Sequence, residues 1–272
     1  MKSAYLSDDG SPYATTNALR ILIHLLNDAV PCDFTYRHES HSCVAVPSAD
    51  QAVNRPISAI SKIYVPCNPG TADQCARTAL MDVGTAVRLR ENGHYKEILD
   101  VGYIWDIFIA GLLRDVGKTM IPRRLLEKHP LTVAEKAEMG QHAEYSASIA
   151  SKIFPFPNDH RVLDFIRFHH KCSESERVAE KDGDGAPLAS HIIRACGRFD
   201  RLVTPRPYKE GVLAPGEALE QLKRLAEKEN KHSPPFLLEA LDDLVLSENP
   251  RDRELMRRVY RGTDAEKYFV DV

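Results

Sequence analysis

The sequence predicts a mainly α protein, a helical domain over residues 71–272 preceded by a small α+β module over residues 1–70. Three observations predict it. From the turn-rich segment Pro66–Asp73 onward, apolar residues recur at helical spacing almost without interruption. Helix starts are marked by a capping box, Thr132-Val-Ala-Glu135, and by prolines at 215 and 235. Before residue 66 the only extended signals are the short β-leaning runs Cys43–Val46 and Lys62–Val65, separated by a polar, proline-containing segment.

In chain order, Thr15 or Thr16 is placed to cap a helix through about Ala29, with Leu19, Leu22, Ile23 and Leu26 on one face. A helix over roughly Ala72–Glu91 ends at the Gly93 break. The next, Lys96–Val116, places Ile98, Leu99, Tyr103, Ile107, Ala110 and Leu113 at helical spacing. The capping box opens a helix running to about Ile153, with His142 inside it. Pro155 and Pro157 break the chain, and His160–Lys171 forms a helix ending in His169-His170. The segment Cys172–Pro187 mixes charges, ends in DGDGAP and reads as a mobile loop. Helices are expected over Leu188–Leu202, Pro215–Lys228 and Pro235–Leu246, with TPRPY (Thr204–Tyr208) as a rigid turn and a terminal helix after Asn249.

Lys plus Arg (36) nearly balance Asp plus Glu (39), a formal charge of −3, so a nucleic-acid duplex or an acidic membrane is a poor fit and a small-molecule or protein partner a better one. The six cysteines form no C-x-x-C pair, which argues against a zinc knuckle or a disulfide scaffold and for a reducing cytoplasm. The N-terminus lacks an apolar signal region, and no run approaches the ~18 apolar residues of a membrane span. The expected location is the cytoplasm.

The chain is organised around Ala110–Lys128, AGLLRDVGKTMIPRRLLEK. An apolar helix end delivers Arg114 and Asp115 to the interior, and Gly117 is expected to turn the backbone so that Lys118 points back into the same pocket. This stretch resembles the HD-GYP branch of the HD phosphohydrolase superfamily, whose signature reads LLHD-x-GK-x-x-IP. Five further stretches match that family in order: LTVAEKAEMGQH at 131–142, FHH at 168–170, DGDGAP at 182–187, TPRPY at 204–208 and SPPFLLEAL at 233–241. The resemblance runs from about residue 72 to 246. It implies an all-helical fold, two or three iron or manganese ions, and hydrolysis of the bacterial second messenger cyclic di-GMP by a metal-bound hydroxide.

Laid on this sequence, the family pattern leaves four metal-ligand positions intact: Asp115, His142, His169 and His170. Asp115 and Lys118 fall on catalytic positions. Four ligands are lost. The His of the His-Asp pair is Arg114, no early His stands within Ala72–Arg90, the Glu after the paired histidines is Lys171, and the Ala-Asp ligand falls on Cys196-Gly197, with Asp200 one turn on. The tyrosine of Gly-Tyr-Pro is Ala186.

A guanidinium cannot be deprotonated in a protein, and like charges ~4 Å apart cost roughly 4 kcal/mol at an effective dielectric near 20, so the replacements repel a divalent ion and Arg114 is expected to make an internal ion pair to Asp115. The expectation is a degenerate member acting as a nucleotide-binding or protein-interaction module with little or no phosphodiesterase activity and no cofactor. Arg114, Lys118 and Arg206 are its candidate phosphate-binding residues for cyclic di-GMP or GMP. A regulatory protein partner is expected to dock at the Cys172–Pro187 loop, a tolerated insertion being the alternative. The rival functional reading is an active phosphodiesterase with a reduced iron or manganese site, with Asp200 recruited. Taken alone, Arg114-Asp115 also reads as a helix-end ion pair and His169-His170 as a helix-dipole cap.

Overall fold

The computed structural model describes residues 69–153, 161–170, 185–205, 211–228, 234 and 236–270. Among these every regular element is helical and none is a strand, in line with the mainly α expectation for this part of the chain. The proposed N-terminal module, with its helix and two β-leaning runs, lies outside the described residues. So do Lys171, Arg206 and most of the Cys172–Pro187 loop.

The first helix, α1 (Pro69–Glu91), is the central post. Its small residues Ala76, Ala79 and Ala86 alternate with Leu80, Met81, Val83 and Leu89, all buried, so neighbouring helices approach closely. It packs against α2 (Val101–Leu113), which is buried from Tyr103 to Leu113 except at Trp105. This second helix starts later than the periodicity predicts because Asp100 accepts the Tyr103 amide proton at 2.6 Å and fixes the start. Each fully buried Leu or Ile here contributes ~2 kcal/mol.

After α2 the chain makes a 3-10 turn (Val116–Met120), then the single-turn helix α3 (Arg123–Leu126) led by Pro122. The capping box is formed as predicted. Thr132 accepts from the Glu135 amide while the Glu135 carboxylate takes the Thr132 amide proton, opening α4 (Val133–Gly140). The single helix predicted through Ile153 is instead two. The chain breaks at Gln141, and α5 (His142–Ile153) begins on His142 itself, a buried first-turn residue.

The helix α6 (Arg161–Phe168) ends before the paired histidines, which occupy the following turn, so they lie at its C-terminal end and not within it. The next described helix, α7 (Leu188–Val203), turns Leu188, Ile192, Cys196, Phe199 and Val203 onto α1 and the core. Then come α8 (Pro215–Lys228), α9 (Leu237–Val245) and α10 (Pro250–Val259), the last opened by Asn249, whose side chain accepts from the Arg251 amide. Both α9 and α10 return to α1, and Tyr260, just past α10, is fully buried with its hydroxyl 3.1 Å from Met81 Sδ.

Candidate functional site

The site forms where the end of α2, the 3-10 turn, the start of α5 and the turn after α6 converge. Gly117 makes the convergence possible, for a reason other than the one the sequence suggests. It is not among the residues with a positive φ, but a Cβ there would lie 2.2 Å from the His142 carbonyl oxygen and 2.4 Å from the Ser146 amide nitrogen. Only glycine lets the turn lie flush on α5. Ser146 then pins the contact, donating to the Arg114 carbonyl at 2.7 Å and accepting from the Gly117 amide at 2.8 Å.

Four donors meet in this space: Asp115, His142, His169 and His170, with one ligand atom from each all within 4.8 Å of one another. These are the four positions the sequence singles out. Two imidazoles are held from behind, His142 Nδ1 on the Met139 carbonyl and His169 Nδ1 on the Ile166 carbonyl, both at 2.6 Å. The neutral tautomer that donates from Nδ1 carries its lone pair on Nε2, as a metal ligand requires. His142 Nε2 lies 3.2 Å from both Asp115 Oδ1 and His170 Nε2. Burial pushes His169 down to about 3, against the pull of Asp115, so that ring is neutral at physiological pH. Three imidazoles and a carboxylate suit one divalent ion of the iron or manganese type.

The carboxylate, however, is already engaged on both oxygens. Lys118 Nζ sits 2.9 Å from Asp115 Oδ1, and Arg114 Nε 3.5 Å from Oδ2, where the Cys75 thiol also donates at 3.7 Å. Burial alone would raise the Asp115 carboxyl. Lys118 first, then the His142 hydrogen bond and the Arg114 charge, overrule it and hold the group well below the usual carboxylate range.

Of the three cations the sequence nominates for phosphate, Arg114 is turned inward. It is 3% exposed, donates from Nη1 to the Ile193 carbonyl at 3.1 Å, and lies against Gly197, where a Cβ would come 3.1 Å from Nη1. Lys118 keeps 23% of its side chain exposed beside the donor cluster, and Arg206 is outside the described residues. Asp200, the carboxylate recruited by the active-enzyme reading, is instead held by Arg77, whose Nε and Nη2 reach Oδ1 and Oδ2 at 3.0 and 3.4 Å. It is not part of the donor cluster.

Sequence reasoning missed Asp82. No histidine stands within Ala72–Arg90, but the helix carries a fully buried carboxylate that faces the close crossing of α1 and α2, where a Cβ on Gly111 would lie 2.5 Å from Asp82 Oδ2. Neither Asp82 oxygen accepts a hydrogen bond of ordinary geometry. Burial pushes its carboxyl up to about 7, the Arg114 charge and the Cys196 thiol beside it offsetting part of the shift. The signal was present in ALMDVGTAV, an acid in the middle of an apolar run.

Residues 99–230 match the HD domain family. That span runs from the turn before α2 to just past α8 and contains all four donors. That stretch of the chain is an HD domain. Over 169 residues it is also 25% identical to a probable cyclic di-GMP phosphodiesterase of Vibrio cholerae, a match covering 59% of this chain and 38% of that protein's length. Around the HD domain, α9 and α10 complete the packing of α1, and no described helix is long and apolar enough to cross a membrane.

Proposed function

We propose that this HD domain binds a guanine nucleotide, cyclic di-GMP or GMP, and passes the bound state to a regulatory protein partner with little or no hydrolysis. The observation that carries the reading is the double pairing of Asp115, with Lys118 on one oxygen and Arg114 near the other. A carboxylate that joins two divalent ions must offer both oxygens to them. Here protein cations are already in place, and each repels an incoming ion.

A single ion fits better than two, held by Asp115, His142, His169 and His170. Such an ion supplies positive charge to a phosphodiester and lowers the pKa of bound water. Around it, Lys118 offers a partly exposed ammonium to a phosphate oxygen, and Arg206 is proposed to add a bidentate contact. Arg114 contributes indirectly, by fixing Asp115 from the buried side. The likeness to the Vibrio cholerae protein points to cyclic di-GMP as the first ligand to test. The protein partner is assigned to the charged Cys172–Pro187 segment, and replacing that segment with a short Gly-Ser link should abolish partner capture while leaving nucleotide binding intact.

The second reading, a slow phosphodiesterase with one metal, is favoured by the intact donor cluster. Calorimetric titration with cyclic di-GMP alongside product analysis separates the two. Binding without linear dinucleotide or GMP supports the first reading, and turnover lost in His169→Ala supports the second.

A further inference from the structure

Two of the four donors, His169 and His170, stand at the end of α6, a helix of eight residues packed against α2, α5 and α7. Its first residue, Arg161, is joined to α2. Arg161 Nε donates to Asp106 Oδ2 at 2.5 Å, and the guanidinium carbon lies 5.1 Å from the centre of the Tyr103 ring. Asp106 is buried, whereas Arg161 keeps 42% of its side chain exposed. One turn further along α6 the Phe165 ring lies 5.0 Å from Tyr103, and the Ser190 hydroxyl of α7 donates to the Phe165 carbonyl at 3.1 Å.

The helices α2 and α6 run side by side in the same direction. Asp106 stands nine residues before Asp115, and Arg161 nine before His170, so starts joined by an ion pair lead to ends that meet in the donor cluster. At a rise of 1.5 Å per residue the pair is about 13 Å from the donors, too far to touch an ion held there. The apolar face of α6, Val162, Leu163, Phe165 and Ile166, is buried, but apolar burial has no direction and leaves a short helix free to slide or rotate by a fraction of a turn. A charged hydrogen bond to a buried carboxylate does not allow that.

We infer that Asp106 and Arg161 are positioning residues for the donor cluster: their bond fixes where α6 stands along α2, and thereby where His169 and His170 stand relative to Asp115 and His142. Metal–ligand distances hold to within about 0.2 Å, so a slip of α6 well short of one turn is enough to spoil the set. The inference rests on the single-ion reading of the donors in the proposed function, and one of its readings needs no metal, so that the two can fail separately.

The test is made on the full chain as wild type, Arg161→Ala, the double variant Asp106→Leu with Arg161→Met, and Leu244→Ala, a core truncation on α9 beside Gly84. Three readings are taken: calorimetric titration with Mn²⁺, urea unfolding, and long-range ¹H–¹⁵N NMR of the imidazole rings in the metal-free protein. Arg161→Ala leaves a buried carboxylate unpaired and should lose both stability and metal affinity. The double variant replaces the pair with apolar side chains, so its stability should return close to wild type while its Mn²⁺ affinity stays about tenfold weaker and the His169 and His170 resonances move. Leu244→Ala should do the reverse, losing stability and keeping the affinity. A double variant with wild-type affinity or with unmoved resonances overturns the inference, as does a Leu244→Ala chain that loses affinity in step with stability. If the wild type takes up no Mn²⁺, the single-ion reading has failed and the resonances alone decide: moved in the double variant, they support the positioning role, and unmoved, they overturn it. Should the double variant not fold, Arg161→Ala is compared with Leu244→Ala on the same readings and the same criteria.

Discussion

Gly117 and His142 touch backbone to backbone, with the place for a Cβ at 117 only 2.2 Å from the His142 carbonyl oxygen. The 3-10 turn that carries Asp115 and Lys118 is therefore seated on the helix that carries a histidine donor, and the seat has no room for a side chain. Gly117→Ala is expected to lose about 2–3 kcal/mol of stability in urea unfolding, through displacement of backbone that has no flexible end to yield. The same variant should lose metal binding more than it loses stability, because the displacement separates Asp115 from His142. Calorimetric titration with Mn²⁺ on the folded variant checks this.

Lys118 and a metal ion compete for Asp115. Neutralising the lysine in Lys118→Met should tighten Mn²⁺ binding by about tenfold or more, since a like charge within ~4–6 Å is removed from a half-buried site. Nucleotide affinity should move in the opposite direction. Titrations of the wild type and Lys118→Met with Mn²⁺ and, separately, with cyclic di-GMP read both signs, and a parallel change would show that Lys118 touches neither.

Asp82 gives stability a pH dependence of definite sign. Its carboxyl titrates near 3.8 when unfolded and is pushed up to about 7 in the folded chain. Between these values the folded chain keeps a proton that the unfolded chain has released, so Asp82 costs stability progressively as pH rises from about 4 to about 7, in all ~4 kcal/mol. Asp82→Asn removes that slope. Urea unfolding at about pH 5 and about pH 8 should show the variant gaining on the wild type at the higher pH, and an equal difference at both would contradict the assignment.

The legible part of the fold was what local chemistry dictates. Thr132 and Glu135 announced a helix start by residue type and spacing alone, and the structure forms that box with both of its hydrogen bonds. The four donors were legible because each is a ligand-type side chain at a family position. What depended on packing was not. Nothing in the periodicity marks the break at Gln141, which puts His142 at the first turn of α5. The role of Gly117 was misread as backbone freedom because its requirement comes from α5, a partner that sequence spacing does not reveal. Arg114 read both as an inward partner of Asp115 and as a phosphate contact; the structure turns it inward beside Asp115 and against Gly197, a neighbour more than eighty residues away that sequence spacing does not reveal.

The most direct measurement of the central claim is product analysis after prolonged anaerobic incubation of the full chain, loaded with Fe²⁺ or Mn²⁺, with cyclic di-GMP, followed by chromatography for the linear dinucleotide and GMP. The pairing of Asp115 by Lys118 and Arg114 predicts no product above the metal-only background, together with a measurable heat of nucleotide binding in the same preparation. Steady formation of either product, abolished by His169→Ala and undiminished in Lys118→Met, would contradict it.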